Sequence, residues 1–232
     1  MWLADFVADY QRDLRQFQTA NPTQRHADCR VLHTHDDLIQ LFHLRRHVFL
    51  GTGARGYNTL NGDLFIEPCD RSCAQIGLFA DGKLKTSLRL QPLAAAAANG
   101  NYADFMSALG QDHGVDDLFC TRFFSWGASP SVRDIYALFQ LGYRIGLGRG
   151  ARVGHLTCAP THQRFFQKIG YTPQRSYDCR FSGSQILMRL ELEDIDHLRS
   201  IRSPLCTIWD DVRGAADTEQ SELKPLAVGV LQ

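Results

Sequence analysis

ARVGHLTCAPTHQRFFQKIGYTP, residues 151–173, reads as a buried strand that runs into a short helix and stops at a glycine. Val153, His155 or Leu156, and Cys158 fall in an apolar run of strand length, and Pro160 breaks it. Thr161 is placed to cap a helix carrying Phe165, Phe166 and Ile169. Gly170 then stands where a left-handed helix end favours a residue without Cβ, with Tyr171 packing back. Any α/β unit closing on such a glycine fits this stretch, so the surrounding elements decide the fold.

Upstream, Leu118–Trp126 reads as a strand, and Ser129-Pro130 supplies an N-cap with a proline at the first helical position. Ile135, Leu138, Phe139, Gly142 and Ile145 then make one apolar stripe of a long helix that ends in Gly146-Leu147-Gly148-Arg149-Gly150. Ala74–Phe79 and Lys83–Leu90 flank Asp81-Gly82, a strong hairpin signal. The low-complexity run Ala94–Ala98 with Asn99-Gly100-Asn101 reads as a connection, and Tyr102–Leu109 as a helix. Towards the start, Trp2, Leu3, Phe6, Tyr10, Leu14 and Phe17 have helical spacing. Cys29–His33 reads as a short strand, and Thr34 with Asp36-Asp37 opens a helix through Leu38, Leu41, Phe42, Arg45 and Phe49. Gly51–Pro68 is rich in glycine and lacks periodicity, which makes it a candidate lid. After residue 173, Gln185–Leu192 alternates as a final strand, and a polar tail with one helix over Ile195–Ile201 follows.

The 232 residues suffice to bury a core without staples. Lys+Arg and Asp+Glu are 25 each, so no global field draws in nucleic acid or an anionic membrane, and an acidic partner would have to meet a local basic patch. Seven cysteines lie scattered without a CxxC pair, which suggests neither a disulfide framework nor a zinc site and fits a reducing cytoplasm. The acid-bearing first residues do not read as a signal peptide, and no run approaches the roughly 18 apolar residues of a membrane span.

The order strand, short helix and Gly-aromatic turn resembles the end of the GCN5-related N-acyltransferase (GNAT) superfamily fold. Leu44-Arg45-Arg46-His47-Val48-Phe49, then Asp63, Glu67 and Asp70, then Ser87-Leu88-Arg89-Leu90-Gln91-Pro92-Leu93 narrow the resemblance to the acyl-homoserine lactone synthases and the long-chain N-acyl amino acid synthases. In those families an "LRxxVF" helix end, a loop of spaced acids and an "LRLxP" strand come in this order. The resemblance spans Val31–Pro173. Residue by residue it places Arg45 and Phe49 in the helix motif, Glu67 and Asp70 among the acids, Arg89 in the strand motif, and Arg122 as the arginine of an "ExSRF" strand. The glutamate of that last motif is replaced by Phe119, and the tryptophan of the loop has no counterpart unless Tyr57 serves. The resemblance implies a mixed, mostly antiparallel α/β sheet, splayed near its middle and flanked by helices. It also implies transfer of a medium or long acyl chain from an acyl-phosphopantetheine donor, on acyl carrier protein or CoA, to the amine of an amino acid or related metabolite. No tightly bound cofactor is expected. A plain acetyl-CoA-dependent N-acetyltransferase and an inactive relative that binds acyl groups or carrier protein are the other readings.

The residues also speak without the family. Arginines near acids in apolar segments need partners, since an unpaired buried charge costs several kcal/mol, and Arg45 with Asp70 is the first pair expected. A salt-bridge network that only holds the lid satisfies the same requirement. Glu67 or Asp70 is expected to orient and deprotonate the amine, and Arg89 and Arg122 to bind a carboxylate or shape the site. Arg45, Phe49, Asp63, Phe119 and Trp126 are expected around the substrates. The place of the pyrophosphate loop reads Ser125-Trp126-Gly127-Ala128-Ser129-Pro130-Ser131, a poor anion nest, which favours carrier protein. Its acidic surface would then dock on Arg149, Arg152 and Lys168, with Arg144 and Arg164 nearby; a solvated helix face is the plainer reading. His43 and His47 have metal-ligand spacing without a general-base glutamate and read as a structural pair, so no metal is expected. Cys120 and Cys158, in apolar strands, read as inert. The domain is expected over residues 1–193, with a C-terminal extension over 194–232.

Overall fold

The computed structural model describes residues 28–51, 64–111, 113–125 and 130–213. The helix expected over Trp2–Phe17, most of the glycine-rich loop, Asp63, Tyr57 and Trp126 lie outside the described residues.

A seven-stranded sheet has the order β1-β2-β3-β4-β5-β7-β6. Its strands are β1 Cys29–Val31, β2 Ala74–Ala80, β3 Lys83–Pro92, β4 Leu118–Ser125, β5 Val153–Cys158, β6 Thr172–Cys179 and β7 Gly183–Glu191. Every neighbouring pair is antiparallel except β4 and β5, which run parallel. Asp81 and Gly82, both at positive φ (53° and 69°), turn β2 into β3 as the dipeptide predicts.

The parallel pair has three rungs, Leu118↔Gly154, Phe119↔His155 and Cys120↔Leu156, while β4 continues to Ser125 and β5 to Cys158. The sheet therefore opens between them. A bulge assists: Ser87 pairs with Phe124 and Arg89 with Thr121, so two residues of β4, Arg122 and Phe123, stand opposite Leu88 alone. Arg122 carries the left-handed backbone at φ 53°. The extra residue reverses the alternation of β4, which brings Arg122 to the face of Thr121 and turns Phe123 towards Phe139.

Helices cover both faces. On one lies α4 (Val132–Gly148), crossing back from β4 to β5, with α5 (Gln163–Ile169) beside it; Leu138, Phe139, Ile145, Phe166 and Ile169 pack on Ile76, Leu88, Leu90 and Leu156. On the other lie α1 (His35–Gly51), α2 (Leu93–Ala97) and α3 (Ala103–Leu109). Short 3-10 turns span Pro68–Ser72, Gly100–Tyr102 and Pro160–His162. Leu198, on α6 (Ile195–Ser200), and Leu205 are buried in the main core, so the first part of the expected extension packs as part of this domain.

Several expectations shift. The cap of α4 is Ser131, reciprocated by Asp134, two residues beyond Ser129, and Thr161 makes no capping bond because Pro160–His162 forms a 3-10 turn ahead of α5. Alanines expected in a connection form α2, in keeping with their helix propensity. β6, unpredicted, is polar on both faces and is held as an edge strand by its pairing with β7. Gly170 ends α5 as expected, at φ 134° with its N–H on the carbonyls of Phe166 and Gln167.

Candidate active site

The site begins from one rung of the sheet. Gln75 pairs with Arg89 and Arg89 with Thr121, so these three polar side chains lie side by side on the face under α1 and α3. The acids come from the 3-10 turn Pro68–Ser72, where Glu67 is the N-cap and Asp70 reaches back so that Glu67 N–H donates to its Oδ2 at 2.8 Å.

Around Asp70 Oδ1 converge Arg45 Nη1 (2.8 Å), Arg89 Nη1 (2.8 Å) and Gln75 Nε2 (2.9 Å), and Arg45 Nη2 also donates to Gln75 Oε1 at 2.5 Å. The expected Arg45–Asp70 pair is present. Glu67 Oε2 accepts from Arg89 Nη1 (2.9 Å) and Arg122 Nε (2.6 Å), and Oε1 from Arg122 Nη2 (2.6 Å) and Asn101 Nδ2 (2.8 Å). Arg89 further donates to Thr121 Oγ1 at 3.1 Å and to the Tyr102 hydroxyl. The Arg122 guanidinium sits 5.0 Å from the Phe49 ring centroid, 5.4 Å from Phe65 and 5.4 Å from Tyr102, an aromatic enclosure suited to a cation. Phe49 stacks on Phe65 at 4.0 Å, tying the helix motif to the loop end.

The electrostatics follow from this geometry. Burial opposes ionisation of Glu67, but Arg122 and Arg89 outweigh it and hold its carboxyl well below the usual range. Asp70 is likewise desolvated and kept ionised by Arg45 and Arg89. Both are poor bases, which departs from the role expected of them. Arg45, Arg89, Glu67 and Asp70 have no exposed side-chain surface, so of the network's charges Arg122, 7 % exposed, is the one that lines a cavity.

That cavity, about 820 Å³, occupies the opening between β4 and β5. Asn101, Tyr102, Thr121 and Arg122 form its polar wall, and Ile135, Phe139 and Phe165 line the side of α4 and α5. Phe119, at the position of the missing glutamate, points into a cluster instead, stacked on Phe105 at 3.7 Å. Glu67 serves as the acid partner of Arg122. Cys120 and Cys158 also line the cavity, with burial pushing their thiols up to about 12 and about 11, in keeping with inert cysteines.

Asn101, Tyr102, Gln75 and Thr121 were not singled out by sequence. Gln75, an amide in the otherwise apolar AQIGLFA, was the signal available. Arg149 follows the end of α4 and Arg152 precedes β5, at the end of β5 opposite Cys158, roughly 17 Å from the opening by strand rise. With Lys168 late in α5, they are not among the residues that line the cavity. Arg164, exposed in the first turn of α5, stands between His162 and Phe165, which line it, and Arg133, exposed in the first turn of α4, stands two residues before Ile135, which also does. His43 and His47 are exposed, and no cluster of metal-ligating side chains occurs among the described residues.

No protein-family model matches the chain, and no curated protein sequence does. Solved structures do. The CoA-dependent acyl-homoserine lactone synthase MesI aligns over 72% of this chain and 86% of its own, with a TM-score of 0.56 at 14% identity. FeeM, an N-acyl amino acid synthase from uncultured soil microbes, aligns over 72% and 95% with a TM-score of 0.53 at 15% identity. The fold is that of the GNAT acyltransferases. A putative N-acetyltransferase from Lactobacillus plantarum shares this GNAT fold, over 72% of this chain and 99% of its own, with a TM-score of 0.52 at 19% identity. No helix among the described residues is long and apolar enough to cross a membrane.

Proposed function

We propose that the protein is an N-acyltransferase that moves a medium or long acyl chain from a phosphopantetheine thioester to the amine of an amino acid or related metabolite. The observation that carries this reading is the opening of the sheet after Cys120↔Leu156 into a cavity of about 820 Å³, within the range of small-molecule sites, with Arg122 and Tyr102 on its wall. The likeness of the fold to acyl-homoserine lactone and N-acyl amino acid synthases supports it.

In the reaction the amine nitrogen attacks the thioester carbonyl carbon. The C–N bond forms, the C–S bond breaks, and the amine's proton ends on the departing thiol. The thioester lies between β4 and β5, where strand pairing has stopped and backbone groups can meet the pantetheine and the developing oxyanion. Arg122 binds the acceptor's carboxylate, with Asn101 and Tyr102 beside it. Glu67, Asp70, Arg89 and Arg45 are positioning residues: their carboxylates are held ionised and saturated with donors, so water in the cavity carries the proton.

For the donor we favour acyl carrier protein. At the start of α4, where a coenzyme pyrophosphate would need free N–H groups, Ser131 N–H donates to Asp134 Oδ2 (3.1 Å) and Asp134 N–H to Ser131 Oγ (3.2 Å), which places a carboxylate at the helix N-terminus. An acidic carrier protein would dock on Arg133 and Arg164 at the mouth rather than on Arg149, Arg152 and Lys168. A cytoplasmic setting, with all seven cysteines free, belongs to this reading. CoA as donor is the second reading, favoured by the description of MesI as CoA-dependent.

Incubation of the purified chain with long-chain acyl carrier protein, acyl-CoA or acetyl-CoA and a mixture of amino acids, followed by mass spectrometry, tests the proposal. An N-acyl amide from acyl carrier protein is expected. Product from acetyl-CoA alone would make it an acetyltransferase, and acyl binding without product an inactive relative.

A further inference from the structure

The cavity has a second end. Past Phe119 it runs between α3 and the β6–β7 hairpin, where Phe105, Tyr177, Cys179 and Phe181 line it. One clasp shuts that end. Asp104, in the first turn of α3, accepts from Arg180, at the hairpin tip, through Nε at 2.9 and 3.1 Å, Nη2 at 2.6 Å and the backbone N–H at 2.8 Å. Its two charges are satisfied by each other, and the walls behind it are mainly aromatic, so this end suits hydrocarbon rather than a charged group. The Arg180 guanidinium holds the Asp104 carboxyl down to about 2, which keeps the clasp charged at neutral pH.

We propose that this end of the cavity receives the tail of the acyl chain, and that the Asp104–Arg180 clasp sets the longest chain accepted. The proposal rests on the acyltransferase reading above. A chain whose thioester lies between β4 and β5 extends past Phe119 and Phe105 towards the hairpin, and the clasp is where it stops. The hydrogen bonds make the two residues unequal. Removing the Asp104 carboxylate abolishes every contact of the clasp, whereas truncating Arg180 leaves its backbone N–H on Asp104. Asp104→Ala therefore loosens the hairpin more than Arg180→Ala does, and Asp104→Asn, which still accepts hydrogen bonds, loosens it least.

The experiment is calorimetric titration of the full chain with saturated fatty acids of increasing length, used as probes of the tail pocket, together with iodoacetamide labelling of Cys179 followed by mass spectrometry. In the unaltered protein affinity should climb about fourfold per added methylene, then fall sharply at one length, and the longest tight-binding acid should slow Cys179 labelling. Asp104→Ala should move that cut-off to longer acids, Arg180→Ala should move it less, and Asp104→Asn should leave it in place. Melting temperatures should change by no more than about 2–4 °C, as for an exposed ion pair. An unchanged cut-off in both alanine variants, or unprotected Cys179, overturns the clasp as the length gate while the acyltransferase reading stands. No length-dependent binding by the unaltered protein would remove that reading as well. Should Asp104→Ala fail to fold, Arg180→Ala decides.

Discussion

Glu67 and Arg122 meet in a two-pronged pair, Nε on Oε2 and Nη2 on Oε1, each at 2.6 Å, across 55 residues of chain. The pair joins the loop end to the bulged strand and sets the one network charge that lines the cavity. Glu67→Ala would leave three buried arginines with a single acid, so a loss of about 3–5 kcal/mol is expected in urea denaturation. Glu67→Gln keeps an acceptor and should lose about 1–3 kcal/mol. A Glu67→Ala variant as stable as the parent would mean that the network does not hold this part of the fold.

Phe119→Glu tests whether the missing glutamate has been replaced in function. Phe119 is 2 % exposed and stacks on Phe105 at 3.7 Å, so the new carboxylate would be buried among aromatic rings. A loss of at least about 3 kcal/mol with no gain in amide formation is expected. Increased product formation would show that Glu67, as the acid partner of Arg122, does not stand in for the missing glutamate.

Gly170→Ala should destabilise by about 2–3 kcal/mol. The backbone there stands at φ 134°, and a Cβ would collide with Leu198 and press on Leu190. Adding Leu198→Ala would relieve the collision but open a cavity, so recovery should be partial; thermal melts of both variants measure this.

His155 gives stability a pH dependence near neutrality. It is 1 % exposed with Nε2 on Asp117 Oδ2 at 2.9 Å, and burial lowers its pKa although Asp117 opposes this. The unfolded histidine, near 6.5, then binds its proton more readily than the folded one. Stability should rise as pH climbs from the folded value through about 6.5 and level off above. His155→Gln should flatten that rise in urea midpoints measured across this range. An unchanged slope would assign the effect to another group.

Periodicity revealed α4 and the hairpin at Asp81-Gly82 because each is specified locally, by an apolar stripe or a turn dipeptide. Arg45 with Asp70 was readable because buried charges demand partners. β6 was not: its register is imposed by β7, and its own residues TPQRSYDC carry no apolar alternation. Asn101 and Tyr102 escaped notice because their role depends on where the 3-10 turn Gly100–Tyr102 lands relative to Glu67, a tertiary fact. The bulge was hidden too. A period-two reading of β4 puts Arg122 on the face of Cys120, and only the register with β3 reverses it.

The parallel joint of three rungs makes the molecule mechanically uneven. β2 to β4 form one leaf and β5 to β7 another, each stitched by longer antiparallel ladders, with β1 added at the edge of the first by three pairs and α4 running across as the strap. Breathing motion concentrates where the fewest backbone bonds must break. Amide protons at the seam around Gly154–Leu156 should therefore exchange with solvent sooner than those inside the β2–β3 ladder. A guest wedged into the gap pries at the compliant seam, and the rigid leaves keep their shape.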